Sequence, residues 1–198
     1  MFLYPAIKRL ADILLSLTGI ILLSPLLILL AILIKTESKG PVLFIQKRVG
    51  KNKSHFKIYK FRTMKVDAPK NMPTHMLKNP EMYITKLGRF LRRSALDELP
   101  QLLNILRGDM SVVGPRPALW NQYDLIKERD KYKANNIRPG LTGWAQINGR
   151  DELSITGKAQ LDGVYVEKMS FLFDCKIFFL TIVLAFIGKD YSEGGPSV

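Results

Sequence analysis

The chain has 198 residues, which is long enough to bury a hydrophobic core and matches one domain, or one domain plus an anchor. Hydrophobic residues make up 47% of it, which excludes a disordered polycation, although 30 Lys and Arg against 17 Asp and Glu give a formal net charge of +13. One cysteine and two histidines exclude an internal disulfide and argue against a zinc site. Nucleic acid, an anionic membrane surface and phosphorylated substrates are the common partners of such a basic chain.

The first element is an apolar segment over residues 13–34, which contains no charged residue. A straight helix of this length spans about 33 Å, enough to cross the hydrocarbon core of a bilayer. The segment exceeds the roughly 7–15 apolar residues of a signal peptide, and no small-residue cleavage site follows it. Lys8 and Arg9 precede it and Lys35 and Lys39 follow it, so both flanks carry the positive charge that marks a cytoplasmic side.

Ser24 and Pro25 lie in the middle of this apolar segment. Proline removes a backbone donor and kinks helices, so a helix that enters the bilayer, bends here and leaves on the same face would satisfy both flanks. Kinked helices that span the bilayer also tolerate proline. The residues alone therefore leave a re-entrant and a spanning helix open.

A β-hairpin is predicted next, because residues 42–45 and 56–61 are β-prone and a turn-forming segment, residues 50–53, separates them. Residues 35–70 hold eleven Lys and Arg against two acidic residues. This density is explained by attraction to anionic lipid headgroups. The alternative interpretation is that Lys57, Lys60 and Arg62 bind a phosphate group, which would need only one or two of them.

The next predicted helix is amphipathic, because four leucines recur at the spacing of one helix face: Leu99, Leu102, Leu103 and Leu106. Gly108 is suited to ending it. Pro100 has to lie in the first turn, where its missing N–H costs nothing, so the helix is predicted to begin near Asp97, with Asp97 as its N-cap.

Asp97 and Glu98 form the most interesting carboxylate pair of the sequence. At a helix start, backbone N–H groups and the positive end of the helix dipole stabilise negative charge. An ionised Asp can act as a nucleophile and form an acyl phosphate, and a neighbouring Glu could help to hold a divalent cation. Carboxylates in a first helical turn are also common as plain caps, so position alone does not establish catalysis.

Arginines surround this predicted helix. Arg92 precedes it, and prolines on both sides of Arg116 stiffen the backbone that presents this guanidinium, which suits bidentate phosphate recognition. Arg138 and Arg150 begin and end a second loop, whose three glycines permit close approach of backbone to a ligand. The phosphate loop of nucleotide-binding proteins, the zinc protease motif and the serine nucleophile elbow are all absent from the sequence.

The last predicted helix covers residues 171–187, which are strongly apolar but include Asp174 and Lys176. Its uncharged part, residues 177–187, is too short to span a bilayer. This composition predicts a buried or interfacial helix.

Taken together, these motifs resemble the bacterial sugar transferases, which are monotopic phosphoglycosyl transferases that initiate capsule, exopolysaccharide and glycoprotein glycan assembly. The resemblance extends over nearly the whole chain. In chain order it rests on the Lys8-Arg9-x-x-Asp12 pattern, Ser24-Pro25, residues 59–64, residues 94–103 and the two arginine loops.

The resemblance implies transfer of a sugar-1-phosphate from a UDP-sugar to a polyprenyl phosphate, normally undecaprenyl phosphate, with release of UMP. It assigns Asp97 as the nucleophile that forms a covalent phosphosugar intermediate, and Glu98 as its helper in acid–base chemistry or as a ligand of Mg²⁺, the expected cofactor. Asp97 is a second candidate Mg²⁺ ligand. The candidate phosphate- and substrate-binding residues are Lys60, Arg62, Arg92, Arg116, Arg138 and Arg150.

The predicted fold class is α+β and mainly helical, with a small β-hairpin and interfacial helices. The resemblance favours a re-entrant membrane helix over residues 1–36, broken at Ser24-Pro25, and one cytoplasmic membrane-associated catalytic domain over residues 37–198. It implies the cytoplasmic face of the bacterial inner membrane. The alternative function is a non-catalytic, membrane-anchored basic scaffold or binder of anionic lipid. Nucleic acid is not expected, because the sequence lacks the motifs of its common binding folds. No feature of the sequence sets the sugar, the pathway or the oligomeric state.

Overall fold

The structure is a computed structural model that describes residues 4–69, 77, 79–149 and 152–187. Within these ranges the chain is mainly helical with two small sheets, which confirms the predicted α+β class in outline. The elements in chain order are α1 (Tyr4–Glu37), β1 (Leu43–Val49), β2 (His55–Phe61), α2 (Lys86–Arg93), α3 (Gln101–Arg107), β3 (Ser111–Val113), α4 (Tyr123–Asp130), β4 (Gly140–Thr142), α5 (Trp144–Ile147), α6 (Ile155–Lys168) and α7 (Phe171–Ile187).

Helix α1 runs through Ser24 and Pro25 without interruption, so the predicted break there is corrected: the helix has no gap at this point. Pro25 has no N–H, and the carbonyl of Ile21 therefore lacks its usual partner four residues ahead. The Ser24 hydroxyl donates to that carbonyl at 2.8 Å and supplies a substitute bond. Among the described residues, α1 is the one helix that is long and apolar enough to cross a membrane.

The beginning of α1 is bound to the body of the protein by two charged side chains. The Arg9 guanidinium donates to two carbonyls near the end of α3, at 2.6 and 2.9 Å. Asp12, which is 4% exposed, accepts from the Ser111 hydroxyl at 3.0 Å and the Val112 backbone N–H at 2.8 Å. The charged motif that precedes the apolar segment therefore docks onto α3 and β3.

A carboxylate of α7 adds to this attachment. Asp174 accepts hydrogen bonds from Tyr4 and Lys8 of α1 and from the Tyr165 hydroxyl of α6. Burial raises the pKa of the Tyr165 hydroxyl, with the Asp174 charge adding to the rise, so this hydroxyl stays protonated as a donor. One carboxylate thus joins three helices.

The other end of α1 is also packed against the body. Leu30 and Ile34 are 3% and 2% exposed and form a small core with Phe61 of β2 and Leu91 of α2. Much of the apolar surface of the helix between these two attachments is exposed, as at Leu22, which is 72% exposed. Both ends of the apolar segment consequently contact the same globular unit.

The predicted hairpin is confirmed. Strands β1 and β2 pair antiparallel from Leu43 opposite Phe61 to Val49 opposite His55, and a 3₁₀ turn joins them. A second sheet consists of β3 and β4, which pair in parallel. The segments that follow β3 and flank β4 are the two predicted arginine loops, so this pairing brings the loops together.

The predicted beginning of the amphipathic helix near Asp97 is wrong. Residues Leu96–Glu98 form a separate 3₁₀ turn, and α3 begins only after Pro100, whose missing N–H interrupts the hydrogen-bonding pattern between the two. Ala95, which precedes the turn, has a left-handed φ of 55°, so Asp97 lies inside the turn and does not cap α3. The predicted helix end at Gly108 is confirmed.

Helix α7 buries one side and exposes another, and both are apolar. Ile177 is fully buried in the main core beside Ile105, whereas Leu172 and Phe179 are 78% and 63% exposed. This distribution agrees with the expected interfacial helix, because an exposed apolar face of this kind suits a lipid surface.

Candidate active site

A cavity of about 380 Å³ lies between the hairpin, α2, the Leu96–Glu98 turn and the helices α4 to α6. Its described lining holds a single acidic side chain, Asp97, among apolar groups and many cations. The eight cationic lining residues are Arg48, Lys60, Arg62, Lys65, Arg92, Arg116, Arg129 and Lys158. Such a concentration of positive charge suits a polyanionic ligand.

The two neighbouring carboxylates of the 3₁₀ turn point to different surroundings. Asp97 and Glu98 are 7% and 8% exposed. Asp97 lines the cavity, whereas the Glu98 carboxylate accepts from Lys60 Nζ at 2.7 Å and from Arg116 Nη2 at 3.2 Å. Glu98 thereby neutralises part of the charge of two cations, and Asp97 remains on the cavity wall.

Lys60 and Arg116 reach this point from distant parts of the chain. Lys60 lies in β2, one residue before the strand ends, and Arg116 follows β3 between Pro115 and Pro117. Both side chains contact the same oxygen of Glu98. The structure therefore brings together four of the predicted site residues: Lys60, Asp97, Glu98 and Arg116.

Arg92 joins the same cavity from the last turn of α2, and its Nε donates to Thr63 Oγ1 at 2.9 Å. Helix α2 approaches the residues after β2 closely at Gly88, where a Cβ would lie 2.0 Å from the Thr63 carbonyl oxygen. Only glycine permits this approach, and the approach places Arg92 at the cavity wall.

Arg62 has a different environment. Its guanidinium donates to the Lys39 carbonyl at 2.6 Å, the Ser38 carbonyl at 2.7 Å and the Ser38 hydroxyl at 3.0 Å. These acceptors follow directly on the last turn of α1, so Arg62 fastens the end of this helix. Its predicted role in phosphate binding stays a prediction, and its observed contacts are structural.

The described part of the second arginine loop contributes uncharged residues to the cavity. Arg138 Nε donates to the Gly108 carbonyl at 2.8 Å, and Arg138 is not among the described cavity-lining residues. Arg150 lies outside the described residues. The loop instead supplies Ala145 and Gln146 to the cavity wall.

Sequence reasoning missed Arg129 and Lys158, two lining residues on α4 and α6. Arg129 lies in a strongly charged helix, where a cation is ordinarily a solvated surface residue, yet it is 5% exposed. It pairs with Asp162, which is 1% exposed. Burial raises the pKa of the Asp162 carboxyl, and the neighbouring Arg129 opposes that rise. The sequence carries no local signal that separates this pair from surface charges.

The site suits a magnesium ion only together with a phosphorylated ligand. Among the described residues there is no group of three or more His, Cys, Asp or Glu side chains that could hold a metal ion. Asp97 offers a carboxylate on the cavity wall, and Glu98 could add a second by exchanging its contacts with Lys60 and Arg116. Mg²⁺ is commonly bound by one or two carboxylates plus phosphate oxygens and water, so this donor set fits Mg²⁺ that a phosphorylated ligand helps to coordinate.

Within the part of the chain that the structure describes, these features define a protein with one membrane-compatible helix and a basic cavity suited to polyanionic ligands. The chain belongs to the bacterial sugar transferase family, which it matches over residues 3–188. This assignment confirms the family resemblance of the sequence.

The relatives are named as enzymes or as proteins of exopolysaccharide production. The chain is 42% identical over 191 residues to the UDP-glucose:undecaprenyl-phosphate glucose-1-phosphate transferase of Escherichia coli (strain K12), an alignment that covers 92% of this chain and 41% of that protein. It is 40% identical over 186 residues to the UDP-N-acetylgalactosamine-undecaprenyl-phosphate N-acetylgalactosaminephosphotransferase of Aeromonas hydrophila, covering 90% of this chain and 43% of that protein.

Full-length similarity is found with shorter relatives. The exopolysaccharide production protein PSS of Rhizobium leguminosarum bv. phaseoli is 41% identical over 189 residues, which cover 89% of this chain and 94% of that protein. The chain thus spans about two fifths of the length of the E. coli relative, 41%, and nearly all of the Rhizobium relative. Relatives of similar identity carry different sugars in their names, so overall identity does not indicate the sugar.

Proposed function

We propose that this protein transfers a sugar-1-phosphate from a UDP-sugar to undecaprenyl phosphate or a similar polyprenyl phosphate, as the first membrane step of a polysaccharide or glycoconjugate pathway. The observation that carries the proposal is Asp97, the one acidic side chain in the described lining of a cavity with eight cations. A nucleophilic carboxylate among cations is the arrangement that attack on a phosphorylated, negatively charged donor requires. The names of the relatives support the same donor and acceptor classes.

In the first half of the proposed reaction, a carboxylate oxygen of Asp97 attacks the phosphorus that carries the sugar. A bond forms between this oxygen and phosphorus, and the bond from phosphorus to the bridging oxygen breaks. UMP leaves with the electron pair of that bond. The protein then holds a phosphosugar as an acyl phosphate on Asp97.

In the second half, an oxygen of the polyprenyl phosphate attacks the same phosphorus, and the bond to Asp97 breaks. The products are a polyprenyl diphosphosugar and the regenerated carboxylate. UMP leaves in the first step and the Asp97 carboxylate leaves in the second. The covalent intermediate thereby divides one difficult transfer into two easier displacements.

In this proposal the cationic side chains of the cavity balance the negative charge of the substrate phosphates. In the same proposal Arg92 and Arg116, which line the cavity, bind phosphate oxygens by their forked donors, and Lys60 adds a point charge. Phosphoryl transfer depends mainly on such positioning and charge stabilisation. Mg²⁺ held by Asp97 or Glu98 with substrate phosphates would neutralise further charge on the donor.

The proposed membrane arrangement is a re-entrant α1 that bends at Pro25 without interrupting its helix, with the catalytic unit on the cytoplasmic face of the bacterial inner membrane. It is supported by the attachment of both ends of α1, through Asp12 and Ile34, to one globular unit, because that unit cannot lie on two sides of a bilayer. The positive charge at both flanks agrees with a cytoplasmic position for each. The cavity then lies beside the end of α1, within reach of a lipid phosphate.

The test measures UMP release by the purified protein in lipid nanodiscs, with a panel of UDP-sugars and Mg²⁺, with and without undecaprenyl phosphate. We expect turnover with one or two sugars only in the presence of the lipid, and about one UMP per protein in its absence. Asp97→Asn abolishes both signals, and the surface variant Asp130→Asn retains them.

Other outcomes would identify where the proposal fails. Continued turnover in Asp97→Asn would refute the covalent step and leave the transfer reaction standing. A folded wild type that binds anionic vesicles in a salt-dependent manner, but releases UMP from no donor, would instead indicate the non-catalytic binder.

A further inference from the structure

We infer that the buried ion pair of Arg129 and Asp162 positions Arg116 for phosphate binding, so that both are positioning residues of the transfer reaction. The inference rests on the proposed function and adds two residues that lie outside the sequence motifs. The inference begins from one contact: Arg129 donates a hydrogen bond to the backbone carbonyl of Arg116.

The pair is almost inaccessible to water. Arg129 Nε and Nη2 both donate to Asp162 Oδ2, at 2.8 and 2.7 Å, and the side chains are 6% and 1% exposed. The segment that follows α4 packs closely on α6 because residue 163 is glycine, where a Cβ would lie 2.7 Å from the ring of Tyr132, two residues after α4 ends. The packing of the two helices thus fixes the orientation of the guanidinium.

The third nitrogen of the same guanidinium reaches the first arginine loop, which follows β3 and contains Arg116. Arg129 Nη1 donates to the backbone carbonyl of Arg116 at 2.9 Å, and Arg116 Nη2 lies 3.2 Å from Glu98 Oε1. Hydrogen bonds thus connect Asp162 to the Arg116 backbone through Arg129, and the Arg116 side chain in turn contacts the carboxylate turn, residues Leu96–Glu98. The planar guanidinium of arginine presents its donors in fixed directions, so the two bonds to Asp162 also fix the direction of the Nη1 donor toward the Arg116 carbonyl.

The loop depends on its carbonyls for support, because Pro115 and Pro117 have no N–H. Three consecutive carbonyls are each held: that of Pro115 by the Gly140 N–H at 2.9 Å, that of Arg116 by Arg129, and that of Pro117 by Arg48 Nη1 at 3.0 Å. Arg129 provides the central one of these bonds. Loss of that bond would free the residue that carries the phosphate-binding side chain.

A purely structural role explains this arrangement less well. Buried ion pairs often contribute little to stability, and apolar residues of similar size can replace them without loss. Such a replacement would fill the space between α4 and α6 but would leave the Arg116 carbonyl without its donor. Stability and positioning can therefore be separated by experiment.

The first readout is kinetic. We expect Asp162→Asn to lower kcat for transfer by about 10- to 100-fold, because small displacements of a positioning group have effects of that size. The double variant Asp162→Asn/Arg116→Ala should be no slower than Arg116→Ala alone, since Asp162 acts through Arg116. Multiplicative losses in the double variant would overturn the inference.

The second readout needs no activity and thus separates this inference from the proposed reaction. Amide hydrogen exchange of the peptide over residues 114–119 should be faster in Asp162→Asn than in the wild type. Asp130→Asn is the matched control on α4, because its carboxylate bonds Lys53 and Asn135 and makes no bond to the Arg116 loop. We expect wild-type exchange and transfer in that control.

A third variant covers the case in which Asp162→Asn does not fold. The paired replacement Arg129→Met/Asp162→Leu is expected to keep the melting temperature near that of the wild type, to speed exchange over residues 114–119 and to lower kcat. Unchanged exchange in this segment, in a folded protein, would refute the positioning role whether or not any UDP-sugar is turned over.

Discussion

Replacing Glu98 by glutamine should destabilise the protein and at the same time strengthen its binding of phosphorylated ligands. Lys60 and Arg116 share the Glu98 oxygen at 2.7 and 3.2 Å, and the side chains of the two cations are 12% and 25% exposed. Bonds to charged groups contribute about 1.5–3 kcal/mol each, and a neutral amide oxygen retains part of that, so Glu98→Gln should cost about 2–3 kcal/mol. In a chain of this size the melting temperature should fall by about 4–12 °C.

The ligand effect has the opposite sign. A phosphate that binds the variant replaces the lost counter-charge, and if half of the cost, about 1.4 kcal/mol, is relieved, UDP binds about tenfold more tightly. The assay is calorimetric titration with UDP in EDTA, so that metal binding by Glu98 does not contribute, beside a thermal melt without ligand. Weaker UDP binding, or an unchanged melting temperature, would refute the view of Glu98 as the resting counter-charge of these cations.

Three further predictions concern the supports of the site. Ser24→Ala should destabilise the protein in detergent by about 1 kcal/mol, because the Ile21 carbonyl loses the Ser24 hydroxyl. In a Pro25→Ala background the same change should have no effect, since alanine restores the backbone N–H of residue 25, and a double-variant cycle of unfolding measurements tests this. Gly88→Ala should lower kcat at least tenfold in the UMP-release assay, because its methyl group collides with the Thr63 carbonyl and displaces α2. Arg62→Met should lower the melting temperature without changing KM for the UDP-sugar, and a raised KM would show that Arg62 binds phosphate.

Much of the architecture follows from local sequence signals. The apolar segment, the hairpin and the helix end at Gly108 are each set by residues that lie close together in the chain, and each was predictable. The beginning of α3 was not, because two local signals compete there. Pro100 is favourable in a first turn, but Ala95 adopts a left-handed φ of 55° and forms a separate turn before it. A propensity argument has no reason to place alanine in that conformation.

The sequence predicts which residues belong to the candidate site better than it predicts how they contact one another. Family motifs point to Lys60, Asp97 and Arg116, but the contact of Lys60 with Glu98 joins residues 38 positions apart and depends on tertiary packing. Arg62 belongs to the same motif as Lys60 and nevertheless turns to the end of α1. Strand alternation explains this difference only in part, since Arg62 lies just beyond β2, where the chain leaves the sheet.

The attachment of α1 has a consequence for how the protein is made. Asp12 finds its partners in β3 about 100 residues later, and Lys8 reaches its carboxylate, Asp174, after 166 residues. At the usual rate of about 5–20 residues per second, about 8–33 seconds separate the synthesis of Lys8 from that of Asp174. During that interval the charged start of the helix lacks its native partner on α7, and a chain shortened before Asp174 would leave Lys8 without its counter-ion.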